Sequence, residues 1–131
     1  MKKTKWTLVI ALLVLASFSL SAQKPADIVG TWEGEGTLEG EADSNILTLI
    51  LKLEEGELVG HMTDQYGSMY ETPIEEATFE DGTFSFSISA DMGGNPMQVK
   101  FIMEVDGDSM EGKIELPDMG ISGTWEATKE K

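Results

Sequence analysis

The chain has no cysteine, no arginine and one histidine, and its only long apolar run lies within residues 1–22. Each shortage closes a class of explanation. Without cysteine the fold cannot rest on disulfides, so a hydrophobic core must hold the molecule, and a lipoprotein-type anchor on a cysteine behind the leader is not expected. The single histidine, His61, has neither a base-orienting partner nor a metal-ligand companion in sequence, and its inward-facing neighbours Gly60 and Met62 place it on the wet side. Outside the leader there is no apolar repeat of 3.6 residues and no segment long enough for a crossover, which excludes an α/β fold.

What is present begins with Lys2-Lys3-Thr4-Lys5, an apolar stretch from Trp6 to Leu15, and small residues up to Ala22. These are the parts of a helical secretory signal peptide, removed before Gln23, with Ser21 as a second cleavage position. The expected product is a single exported domain over residues 23–131, periplasmic or extracellular. It keeps all 24 acids but only six lysines, a formal charge of −18. A surface this acidic repels phosphate backbones and anionic headgroups over roughly 8–10 Å, which argues against nucleic-acid and membrane-surface roles and accounts for solubility.

Three stretches share a frame of one apolar residue, four turn formers and another apolar residue: Leu53–Leu58, Phe79–Phe84 and Val105–Met110. Each predicts a hairpin, flanked by alternation such as Phe84-Ser-Phe86-Ser-Ile88-Ser-Ala90. Eight strands are expected: Val29 to Leu38, Ile46 to Glu54, Glu57 to Thr63, Ile74 to Glu80, Thr83 to Ala90, Met97 to Val105, Ser109 to Leu116 and Ile121 to Thr128. Leu47, Leu49, Leu51 and Leu53 share one face, as do Met97, Val99, Phe101, Met103 and Val105, and Met110, Ile114 and Leu116; opposite the last two rows stand Gln98, Lys100 and Glu104, then Glu111, Lys113 and Glu115. Apolar-in and polar-out is the reverse of an outer-membrane barrel. Short connections give an up-and-down order, and closure removes exposed edges. The expected fold is all-β, an eight-stranded antiparallel up-and-down barrel, with a flattened β-sandwich as the alternative. Gly60, Gly112 and Gly123 fall on the inward parity and mark strong strand bends.

Gly30-Thr31-Trp32 in the first strand recurs as Gly123-Thr124-Trp125 in the last. Gly-x-Trp at the head of an exported eight-stranded meander resembles the opening strand of lipocalins, and Gly-Thr-Trp resembles the start of avidin-type barrels, both within the calycin group. The resemblance implies that Trp32 packs across the barrel floor. It also implies an arginine over that ring, which this chain lacks; its barrel is also shorter than a typical lipocalin, and the polar biotin-contacting set of avidins is not recognisable.

Tight acidic turns gather at one end, and the connections Glu39–Asn45, Asp64–Pro73, Asp91–Pro96 and Pro117–Gly120 at the other. Ligands enter barrels through the mouth, and binding residues gather on loops carried by a rigid scaffold. The long-loop rim carries Tyr66, Met69, Tyr70, Met92 and Met119, with Met97 just inside, and repeats Asp-Met-Gly at residues 91–93 and 118–120. Thioethers and tyrosines suit an apolar or aromatic ligand, and equally serve to plug a barrel end. Trp32, Leu49, Leu51, Phe86 and Phe101 are the expected walls and floor.

No catalytic, cofactor or metal motif is found. The methionines lack a local ligand spacing, Asp106–Glu111 is too short for a calcium loop, and Glu75 and Glu76 should point to opposite faces of a strand. The expected function is a non-enzymatic barrel that binds a small, mainly apolar ligand through its long-loop end. The alternative is a structural or protein-interaction module filled by its own side chains, and cavity volume separates the two. Nothing in the sequence names a protein partner.

Overall fold

The computed structural model describes residues 23–92 and 94–131; the leader and its cleavage position lie outside these residues. After a 3-10 turn, Pro25–Ile28, come nine strands: β1 Gly30–Leu38, β2 Asn45–Glu54, β3 Glu57–Asp64, β4 Thr72–Pro73, β5 Glu75–Glu80, β6 Thr83–Met92, β7 Asn95–Asp106, β8 Ser109–Leu116 and β9 Ile121–Lys129. All pairing is antiparallel, in the order β4-β3-β2-β1-β9-β8-β7-β6-β5. The two Gly-Thr-Trp strands meet at the seam, where Trp32 pairs with Lys129 and Gly36 with Trp125. The described residues contain no α-helix.

The ninth strand, Thr72–Pro73, forms at the end of the expected Asp64–Pro73 connection, just ahead of the expected fourth strand. Thr72–Pro73 pairs with β3, whereas Glu75–Glu80 pairs with β6, with a register shift between Glu75 and Thr78. Pro73 has no N–H to extend the ladder, and Glu76 sits at φ +51°, a left-handed conformation that accompanies a bulge. The bent ribbon passes the pairing from β3 to β6, and the Ile74 N–H donates to Gly60 O at 2.9 Å. The sheet therefore comes close to closing into a barrel rather than flattening into a sandwich. The bulge also breaks the alternation that should have separated Glu75 from Glu76, since both are exposed.

The interior is apolar, as the parity of the strands demands. Leu47, Leu49 and Leu51 of β2, Phe84, Phe86, Ile88 and Ala90 of β6, and Val99, Phe101, Met103 and Val105 of β7 are buried. Leu53 departs from the expected run, 37 % exposed where β2 enters its tight turn. An aromatic column fills the middle. Phe86 stacks on Phe101 with centroids 4.6 Å apart, Phe84 lies 5.0 Å from Phe86, and Phe101 meets Trp125 edge-on at 5.7 Å.

The tight-turn end is closed by Trp32 and the 3-10 turn. Trp32 is fully buried, and its Nε1–H donates to Ile28 O at 2.9 Å. Lys129 Nζ stands 5.8 Å from the centre of that ring, within range of a cation–π attraction. The same ammonium donates to Asp27 O at 2.7 Å. A residue of the last strand thus fastens the segment that enters the first.

Tight coiling of the sheet depends on glycine. At Gly60, Gly112 and Gly123 a Cβ would overlap the backbone carbonyl oxygens of Ile50, Ile102 and Thr37, and Gly34 stands in the same relation to Glu126. Three of these follow from inward parity; Gly34 adds a fourth. At Gly36, by contrast, a Cβ would meet only the Leu47 and Ile114 side chains, at 3.1 and 3.4 Å. Gly34→Ala and Gly112→Ala are each expected to cost about 2–3 kcal/mol, since backbone must move, while Gly36→Ala costs less because methyl groups can shift. Urea unfolding midpoints of the three variants check the order.

Candidate functional site

The long-loop end holds an apolar cavity of about 90 Å³. Its wall comes from side chains that the strand alternation turns inward: Leu47 of β2, Ala90 of β6, Val99 and Phe101 of β7, and Ile114 and Leu116 of β8. Gly36 leaves the space that a side chain would take on β1. Around the mouth stand Glu41, Asp43, Asn45, Ser68 and Met69.

Asp64 organises this mouth. It continues the inward face of β3 two residues beyond Met62, pairs with Leu47 across the ladder, and is only 4 % exposed. Its carboxylate accepts from Asn45 Nδ2 at 2.9 Å, Ser68 Oγ at 2.6 Å and the Met69 N–H at 2.9 Å. The Asp64 N–H in turn donates to Met69 O at 3.0 Å. This reciprocal pair folds the connection back over the barrel and buries Met69 against the core. Burial by itself raises the Asp64 pKa, but the hydrogen bonds from Ser68, Asn45 and the Met69 and Gly67 backbone outweigh it, and the net shift is downward.

Nine of the eleven expected site residues fall into three groups, with Met97 and Met92 apart from them. Met69 and Phe101 line the cavity. Trp32, Leu49, Leu51 and Phe86 are buried in the packed interior and are absent from the cavity wall. Tyr66, Tyr70 and Met119 are 64, 74 and 51 % exposed, outside the lining. Met97 is half-buried. Met92 ends β6, its side chain lying outside the described residues. The connection there is shorter than expected, since pairing runs on to Met92↔Asn95.

Asn45 and Asp64 had no place among the expected site residues, although parity could have found them. Stepping by two from Leu51, Leu49 and Leu47 gives Asn45, and the same step from Met62 gives Asp64. Polar residues at the end of an apolar inward row are what a barrel mouth requires. His61 also differs from expectation: it is half-buried rather than fully wet, and its Nδ1 is buried without a partner.

The outer surface carries a second feature. Glu35 pairs with Glu126, Glu126 with Glu111, and Glu111 with Glu104, so four exposed carboxylates cross four strands in one row. Directly opposed like charges weaken a sheet. Among the described residues one ion pair forms, Lys129 with Asp108 at 4.0 Å, and it lies away from that row. No group of three or more acidic, histidine or cysteine side chains among the described residues is arranged to hold a metal ion.

No family of known proteins, no curated protein and no solved structure matches this chain.

Asp64→Asn is expected to cost about 2 kcal/mol at neutral pH, because hydrogen bonds to a buried charged group are lost or weakened. A folded pKa below the ordinary 3.8 means that the Asp64 contribution is full above that value and is lost as pH falls through the lower folded pKa. The difference between native chain and variant should therefore shrink on acidification, which paired denaturant titrations would measure. Glu111→Gln should raise the urea midpoint at low salt, and the gain should fade in 1 M salt, where screening acts over about 3 Å.

Proposed function

We propose that this is an exported, calycin-like barrel that binds a small, neutral, mainly apolar molecule in the cavity beneath Met69, without catalysis. The observation that carries this reading is the cavity of about 90 Å³ in an interior otherwise packed with aromatic and aliphatic side chains. That volume is well above the space of one or two waters, and an apolar cavity of about 150 Å³ takes up benzene. By that scale the space suits roughly four heavy atoms, or the apolar end of a longer molecule that emerges past the Asp64–Pro73 connection. Glu41 and Asp43 at the mouth repel anions, which favours a neutral ligand over a carboxylate.

Two further observations support the calycin-like reading. β1 and β9, the two strands that carry Gly-Thr-Trp, pair along the seam, with the two tripeptides toward its opposite ends. Lys129 stands over Trp32, supplying the cation for which the resemblance calls at that ring. Asp64 does not favour an enzymatic reading. Its oxygens are taken up by internal donors, so it holds the loop rather than facing a substrate as a free base.

The row of Glu35, Glu126, Glu111 and Glu104 favours a second reading, in which the outer face meets a cationic partner protein. Such a contact would relieve the repulsion that the row carries alone.

Xenon and the Ala90→Leu variant test the first reading. Xenon enters dry apolar cavities, so xenon-saturated buffer should shift the methyl NMR signals of Leu47, Ile114 and Leu116 in the native chain, and the added leucine should abolish the shift. An organic extract of natively purified protein should contain a small neutral molecule that the Ala90→Leu protein lacks. No methyl shift in the native chain, or the same extract from both proteins, rejects the proposal.

A further inference from the structure

We infer that the ligand of this cavity carries a hydroxyl-type hydrogen-bond donor, as a small aliphatic alcohol does, and that Asn45 Oδ1 is the atom that receives it. The inference rests on the cavity being the binding site and adds the chemistry that selects its occupant.

The Asn45 amide has a defined direction. Its nitrogen lies 2.9 Å from Asp64 Oδ2, and a carboxylate only accepts. The lowered pKa of Asp64 keeps that group ionised at neutral pH, so the NH₂ end must face it and the carbonyl end must face elsewhere. Oδ1 is then buried with no hydrogen-bond partner, one of two such side-chain atoms among the described residues. Buried polar atoms are almost always paired, so an orphaned acceptor on a residue that lines the cavity calls for a donor from outside the chain.

None of the neighbouring groups answers that need. Ser68 Oγ–H and the Met69 N–H are committed to Asp64. Leu47, Ala90, Val99, Phe101, Ile114 and Leu116 have no polar side-chain atoms, and the carboxylates of Glu41 and Asp43 accept rather than donate. Beyond the carboxylates at the mouth, the lining therefore combines one buried, unpaired acceptor with a hydrocarbon surface. A site built around one unmet hydrogen bond discriminates against an analogue that cannot make it far better than an apolar surface discriminates by shape. A hydroxyl suits the position better than an ammonium, because a charged head would have to lose its water beside an apolar wall.

Three probes of equal heavy-atom count decide the matter: butan-1-ol, which donates, methyl propyl ether, which only accepts, and 1-chlorobutane, which does neither. Their affinities for the native chain are read from the Leu47 and Ile114 methyl signals and from the Asn45 side-chain amide signals. Butan-1-ol should bind about three- to tenfold tighter than either of the others, the worth of one net hydrogen bond, and should shift the Asn45 amide. In Asn45→Leu the preference should vanish while 1-chlorobutane still binds. Equal binding of all three to the native chain, as a resident water on Oδ1 would produce, overturns the donor inference and leaves the cavity reading standing. Failure of all three to bind overturns both. The probe series on the native chain decides the outcome even where Asn45→Leu does not fold.

Discussion

Close approach of neighbouring strands is the constraint on which the rest of this molecule depends. Where Gly34, Gly60, Gly112 and Gly123 pass beneath the carbonyls of the next strand, the sheet can coil tightly enough to bring its edges together within nine short strands. Coiling narrows the lumen. The narrow lumen is filled by Phe84, Phe86, Phe101 and Trp125 in contact along a column, and the apolar cavity lies at the end away from the tight turns. The position of the cavity is thus a consequence of backbone geometry, and its chemistry a consequence of which side chains the last inward positions happen to carry.

Much of the fold was legible because strand parity is a strict rule. A period of two assigns every residue of β2, β6, β7 and β8 to a face, and the buried residues follow it from Leu47 to Leu116 except Ser87, which is buried on the outer parity of β6. The bend between Pro73 and Glu75 was not legible, because a bulge adds a residue without changing composition, and Glu-Glu-Ala reads equally well as regular strand. The site was less legible than the fold. Tyr66, Tyr70 and Met119 drew attention through residue type, yet a loop has no parity, and their exposure is set by how each connection folds back. Met69 is buried while Tyr70 beside it is exposed, because the Asp64 carboxylate captures the Met69 N–H. Hydrogen bonding of that kind joins residues through space and leaves little trace in a pattern of apolar positions.

The distribution of charge divides the molecule into unlike parts. Acids cover the outside with little compensation, down to four glutamates in one row, whereas the buried carboxylate of Asp64 is fully provided with donors. Screening by water and salt makes the first arrangement tolerable, and the absence of such screening inside makes the second obligatory. The six lysines of residues 23–131 are too few to neutralise the surface, and one of them, Lys129, serves at the floor.

The fastening of Lys129 to Asp27 and Trp32 has a consequence in time as well as in space. These partners lie about a hundred positions apart in the chain, so neither the floor nor the β1–β9 seam can exist until β9 has been made. A partly synthesised chain has no closed intermediate to rest in, and its first strand stays unpaired on one side until the last arrives. Non-local pairing of this kind is slow to form, and it leaves β1 open along one side for as long as β9 is missing.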